Sequence, residues 1–281
     1  MSLLRHLQDC NRFDAARFRP LWFGARRIGH VRDDNAARLA RFPETFAVSG
    51  DAVRIVATGG FDAVSEAVDR VVERLVGEGV VAKWRNEYFA VTPVWGEAPL
   101  LKIDRGAVPF FGVRAHGVHL NGWRRAPDGG IAMWIGRRAP DKKVAPGKLD
   151  NLVAGGIGYP HGIVETLVKE ADEEAGMDAA LTARATAHGH VAYRMEWQSG
   201  ARDDFLYVYD LETPADFVPR NRDGEIVAFA LMDAAEVLDR VEHSDDFKFN
   251  VNLVIIDFAL RHGLIPPDHP EYAALTAGLR P

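Results

Sequence analysis

Cysteine is almost missing from this chain: a single one, Cys10, stands among 281 residues. One thiol closes no internal disulfide and supplies no cysteine metal cluster, so a reducing compartment, the cytoplasm, is the expected setting. Long apolar runs are missing too. No stretch approaches the ~20 residues that cross a bilayer as a helix. The opening MSLLRHLQDCNRF carries charges where a secretory leader needs its apolar centre. No membrane partner is expected. Positive charge is not in excess: 34 Lys and Arg face 40 Asp and Glu, a net of −6. That balance argues against nucleic acid as a bulk partner. It leaves room for a small anion, because a few local cations or a metal override the mean field. Internal repeats and low-complexity tracts are absent as well.

What is present is ordinary globular composition, in a length that suits one large or two ordinary domains. Residues 1–112 read as one unit. Asp62 to Val76 carries Val64, Ala67, Val68, Val71, Val72 and Leu75 at helical spacing, flanked by strand-like Val53–Ala57 and Tyr88–Thr92. Trp22, Trp84 and Trp95 are expected to pack rather than to stack on a ligand, given the apolar area of an indole. From Phe110 the texture changes. Phe110–Trp123, Ile131–Gly136, His188–Trp197, Phe205–Leu211 and Glu225–Leu231 read as strands, separated by Gly-containing turns. Helices are expected over Asp233–Val241 and Asn250–Arg261. A mixed sheet with helices on its faces is the layered fold this order suggests.

The most informative stretch is Gly155 to Met177, GGIGYPHGIVETLVKEADEEAGM. A helix is expected to start after Gly162 and to stop at Gly176. At about 100° per residue, with Ala171 as zero, Val164, Leu167, Val168 and Ala175 form one apolar face. Glu174 then falls near −60°, Glu170 near −100° and Glu173 near −160°. These three acids line the rim where helix meets solvent. They repel one another unless a cation sits among them. Acids one helical turn apart, with glycines upstream, suit Mg²⁺ held against a diphosphate. The competing reading is a solvated acidic face.

This stretch resembles the Nudix hydrolase box, G-x5-E-x7-R-E-U-x-E-E-x-G-U. Gly155 takes the first position, Lys169-Glu170-Ala171 the R-E-U, Glu173-Glu174 the acid pair and Gly176-Met177 the end. His161 replaces the early Glu and Lys169 the Arg. Glu165, four residues before Lys169, is expected to restore that ion pair. Further segments widen the resemblance: Trp84–Glu87, Gly117–Trp123, Lys148–Gly156, Phe247–Asn250 and Ile256–Phe258. Together they resemble Nudix hydrolases with an N-terminal DUF4743 domain, a module joined in fungi to thiamine pyrophosphokinase.

The resemblance implies an α/β fold: a Nudix α/β/α sandwich with a mixed sheet over residues 113–281, after a smaller α+β domain over residues 1–112. It implies a Mg²⁺-dependent diphosphatase, with Mn²⁺ as an alternative metal. Glu170, Glu174, Glu173 and a carbonyl of Gly155 are the expected metal ligands. Glu173, Glu174 and Glu225 are the catalytic candidates, and Glu165 and Lys169 the supporting pair. The substrate is a small organic diphosphate, foremost thiamine diphosphate or its oxidised analogues. ADP-ribose or NADH is the alternative, and a Nudix-like binding regulator without turnover a further one. Arg137, Arg138, Lys142, Lys143 and Lys148 suit either phosphate contacts or a solvated loop. His188 and His190 alternate on a strand and so are expected on one face; without a Cys or third His they make no zinc site. Trp123 or Trp134 is a candidate to stack the substrate, with core packing preferred for Trp134. A homodimer stays open.

Overall fold

The computed structural model describes residues 2–280. The first half runs α1 (Leu4–Cys10), β1 (Phe18–Phe23), β2 (Arg26–Arg32), α2 (Asp33–Leu39), β3 (Phe46–Val48), β4 (Val53–Ile55), α3 (Phe61–Gly77), β5 (Tyr88–Val91), β6 (Leu101–Asp104) and α4 (Val108–Phe111). A four-stranded sheet, ordered β2-β1-β4-β3, and the β5–β6 pair enclose the apolar side of α3. The i, i+3, i+4 pattern chose that side: Val64, Val68, Val71, Val72 and Leu75 are all buried.

The second half runs β7 (Arg114–Arg125), β8 (Ile131–Arg138), β9 (Leu149–Asp150), β10 (Val153–Gly156), α5 (Ile163–Ala175), α6 (Ala179–Thr182), β11 (Thr186–Trp197), β12 (Gly200–Glu212), β13 (Ile226–Asp233), α7 (Ala234–His243), α8 (Phe249–Arg261) and α9 (Tyr272–Gly278). One seven-stranded sheet holds them, ordered β11-β12-β7-β8-β13, with β10 paired to β7 and β9 to β8. β7 and β12 are parallel and the other pairs antiparallel, so the sheet is mixed. Period-two alternation sends side chains to two cores. Met133 and Ile135 of β8 and Leu206 and Val208 of β12 meet α7 and α8. Trp134 and Leu211 point the other way, to Leu167, Ala171 and Ala175 of α5. The result is an α/β/α sandwich.

Three features depart from the local reading. Phe110 to Gly112 is not strand: Pro109 stands in the first turn of α4, and β7 begins at Arg114. The glycines at 155 and 156 end a strand, β10, rather than lying in a loop. α1, although first in sequence, packs into the far core. Leu3, Leu7 and Cys10 join Val254, Phe258 and Leu275 there. His6 bonds the Val241 carbonyl at 2.6 Å and Asn252 at 3.0 Å. Burial pushes the Cys10 thiol up to about 12, so it stays protonated and inert. Among the described residues no helix is long and apolar enough to cross a membrane.

α8 is tied to the sheet by charge as well as by apolar packing. Asp210 of β12 accepts from Arg261 Nη1 at 2.5 Å, His262 Nε2 at 3.0 Å and Asn121 Nδ2 at 3.0 Å. Burial alone would raise its pKa, but the bonds from His262 and Arg261 outweigh it and bring the value to about 2. A depressed carboxylate stabilises the fold above its unfolded value of 3.8, and that stability is lost as pH falls through about 2. Asp210→Asn is expected to cost about 2 kcal/mol at neutral pH, the worth of hydrogen bonds to a charged group. It should also flatten the loss of stability between pH 4 and pH 2; urea unfolding across that range checks both.

Candidate active site

Helix α5 begins at Gly162 and ends at Gly176, with Met177 N–H closing on the Ala171 carbonyl at 3.0 Å. Its acids leave water in the order of their angles from the buried face. Glu174 is 3% exposed, the Glu170 side chain 18% and the Glu173 side chain 42%. Val164 breaks the pattern: it lies on the apolar side by angle yet is 64% exposed. It sits in the first turn, where Leu167, Ala171 and Ala175 carry the packing instead.

Opposite the acids lies β10. Ala154 N–H donates to Glu174 Oε2 at 2.7 Å. That one amide does not offset the loss of water. Burial, and then repulsion from Asp150, hold the Glu174 carboxyl well above the usual range. Glu170 is raised too, chiefly by burial, with Lys169 opposing the shift. Its side chain lies against Gly155, where a Cβ would come within 2.3 Å of Glu170 Cγ. Glycine is therefore required for the acid to lie flat on the strand.

The expected Glu165–Lys169 pair does not form. Glu165 turns back to the helix start, accepting from Gly162 N–H at 3.3 Å and meeting His161 Nδ1 at 2.9 Å. Third in the helix, it is placed to satisfy an orphan amide. Lys169 instead bridges Glu173 at 2.6 Å and Glu170 at 3.2 Å. Glu225 lies just before β13, not in it, and pairs with Lys142 at 2.5 Å. Its charge reaches both Glu170 and Glu174, raising each.

The basic group before the box divides. Arg138 is buried, bonded to Asp150 at 2.7 Å and to the carbonyls of Val144 and Ala145. Arg137 reaches the Gly147 carbonyl and Lys148 that of Asp245. Lys143 faces Arg85 and Lys83 of the first half, whose charges lower its proton affinity. The two histidines separate at a register shift between Ala187 and His190. His188 lies 3.6 Å from Asp210, whereas His190 stacks on Phe205 at 4.0 Å. Trp134 is core, and Trp123 lies against His262 near α8.

A cavity of about 260 Å³ adjoins the box. Ile157 to Gly162 forms one side and Phe89 to Pro99 another, with Trp95 and His116 in the lining. Sequence reasoning missed it, because its walls come from three distant segments. A larger groove of about 780 Å³ runs along α3, lined by Phe42, Arg70, Glu73 and Arg74. It holds none of the acids.

Among the described residues no three His, Cys, Asp or Glu side chains are already gathered into a ligand cage. Lys169 draws Glu173 aside. The donor chemistry still fits a divalent cation. The candidates are oxygen donors, which suit Mg²⁺ or Mn²⁺ rather than zinc. Two of them are held in burial without enough positive charge to offset it. Gly155→Ala tests the close approach. The methyl group should displace the Glu170 carboxylate, cost about 1–3 kcal/mol in chemical denaturation and weaken Mn²⁺ binding in a calorimetric titration. Unchanged stability and affinity would show that the contact is dispensable.

Comparison with known proteins identifies the family. The profile of a domain of unknown function, DUF4743, matches residues 2–115, and that of the NUDIX domain matches residues 117–252. Nudix hydrolase 24, chloroplastic, of Arabidopsis thaliana is 38% identical over 286 residues, covering 99% of this chain and 78% of that protein. Nudix hydrolase 20, chloroplastic, of the same plant is 43% identical over 218 residues, covering 77% of this chain and 58% of that protein. An uncharacterized protein of Saccharomyces cerevisiae is 33% identical over 233 residues, covering 76% of this chain and 67% of its own length. With a box helix that buries its acids against a glycine strand, the chain belongs to the Nudix hydrolases, enzymes acting on diphosphates, in the branch with a DUF4743 domain ahead of the Nudix domain.

Proposed function

We propose that this chain hydrolyses the diphosphate bond of a small organic diphosphate, releasing an organic monophosphate and either inorganic phosphate or a second monophosphate, with Mg²⁺, or Mn²⁺ in its place. The observation that carries the reading is Glu174, buried with a raised pKa beside Glu170 on the Gly155 strand. A carboxylate kept out of water in this way is costly unless a proton or a cation neutralises it.

Glu174 and Glu170 would hold the metal, with a backbone carbonyl at Gly155 and Glu173 as further donors. A bound Mg²⁺ neutralises diphosphate charge and lowers the pKa of a coordinated water. The chain's own residues do the rest. Water attacks phosphorus, one P–O bond forms and the bridging P–O bond breaks. Glu173, the acid at the solvent rim and paired to Lys169, serves either as a metal donor or as the base that accepts the water's proton. Glu225, tied to Lys142, is the second candidate for that role.

Thiamine diphosphate and its oxidised analogues lead on family resemblance, and ADP-ribose or NADH is the alternative. Glu174→Gln is expected to lower kcat at least ~100-fold while the fold survives, as loss of a metal ligand should. Inorganic phosphate from a thiamine diphosphate, or nucleoside monophosphate from ADP-ribose or NADH, is measured with and without Mg²⁺, with circular dichroism as the fold control. Unchanged turnover would overturn the assignment. Comparing kcat/KM across oxothiamine diphosphate, oxythiamine diphosphate, ADP-ribose and NADH ranks the substrates; failure of all four would reject the proposed substrate class.

A further inference from the structure

The cavity beside the box loop is built by both halves of the chain, and its contents differ from those of the acid site. We propose that it seats the organic half of the substrate, taking a heteroaromatic ring against Trp95 and hydrogen-bonding that ring through His116. The proposal rests on the diphosphatase reading above and narrows its substrate class.

Position comes first. Gly155, under Glu170, is followed by Gly156, and a Cβ there would come within 2.7 Å of Phe89 Cζ. Phe89 and Ile157 both line the cavity. The cavity therefore opens one residue beyond the strand that faces the acids. A diphosphate over Gly155 would project its organic group toward this space.

His116 supplies the second observation. It is only 6% exposed, and neither ring nitrogen has a hydrogen-bond partner. The Thr92 backbone is close enough to affect its proton affinity without completing a bond of good geometry. Buried polar atoms in folded proteins are nearly always paired, so a pair of orphans on a cavity wall calls for a ligand. Burial first, and then Arg114, push the imidazole down to about 4. It is neutral at neutral pH and offers one donor and one acceptor.

The walls suit a flat ring. Phe89, Trp95 and Tyr159 line the cavity, and Trp95 lies 4.8 Å from His116, centroid to centroid. Such faces bind π systems. Glu97 in the lining is committed to Arg26 at 2.5 Å, and His161 to Glu165. No unpaired carboxylate is left to select a cation. Pockets for drug-sized ligands start near ~300 Å³. A space of about 260 Å³ suits a single ring system rather than a dinucleotide.

Two ring sources share this chemistry, the pyrimidine of thiamine and the purine of adenosine. Both phosphate-free compounds would be titrated calorimetrically into the full chain, in EDTA, so that metal plays no part. The preference for a ring-bearing diphosphate over ethyl diphosphate would then be measured as a ratio of kcat/KM values. Trp95→Ala and His116→Phe are the variants; the second keeps a ring in place, and thermal unfolding checks both. Binding of thiamine, of adenosine or of both to the wild type supports the proposal and names the source. Either variant should weaken that binding, and reduce the preference, at least ~10-fold. Absence of binding by both compounds, or a preference within about twofold of wild type in both folded variants, overturns it. Should thiamine or adenosine bind while no diphosphate is turned over, the pocket stands and the diphosphatase reading falls. Should ethyl diphosphate be cleaved with neither ring bound, the reverse holds.

Discussion

A carboxylate removed from water and given a single amide is the constraint on which this site depends. Glu174 can stay where it is only because α5 packs Leu167, Ala171 and Ala175 onto the sheet, and because Ala154 turns its N–H toward the helix. The same packing presses Glu170 onto Gly155 and leaves Glu173 at the rim. Desolvation sharpens every charge interaction nearby, so Asp150, Glu170 and Glu225 all act on Glu174. An arrangement this acidic stores electrostatic repulsion, and a divalent ion is the direct way to relieve it.

Behind the site, a chain of buried polar groups fixes the strand that meets the acids. His119 bonds Asn151 at 2.7 Å, Asn151 bonds Asn121 at 2.7 Å, and Asn121 bonds Asp210. Beside it, Asp150 is held between Arg138 and Lys248, whose charges keep it ionised against the pull of burial. His119, Asn121, Asp150, Asn151 and Lys248 belong to the segments that make the sequence recognisable. Their place in the fold explains this: removing one partner of such a network leaves the others buried and unpaired. The turn between β9 and β10 is thereby pinned, and with it Ala154 and Gly155.

Much of this was legible in the sequence, and the failures share a cause. Helical angles put all three acids at the solvent rim, and that holds for Glu173 alone; Glu174, nearest the apolar face by angle, is buried because α5 lies flat on its sheet. The mixed sheet and its flanking helices followed from element order. Glu165 was misread because two local rules competed for it, a pair four residues ahead and an amide at the helix start. His188 and His190 were misplaced because strand alternation assumes an unbroken register. The aromatic cavity was invisible, since residues 89–99, 116 and 157–162 meet only in the folded chain. Trp95, read as a packing residue, packs and also faces that space.

The docking of α1 bears on how the chain is made. Leu3, Leu7 and Cys10 are made well before the surface that buries them, which includes α8 and α9. Until α8 and α9 are made, the apolar side of α1 lacks the surface that covers it in the folded chain. When residues 249–278 emerge, it closes over them, and Gly278 lies so near Leu7 that a Cβ there would come within 2.6 Å of it. The core of the second half thus includes residues from the first, and a molecule cut between its halves would leave that core with part of its lining missing.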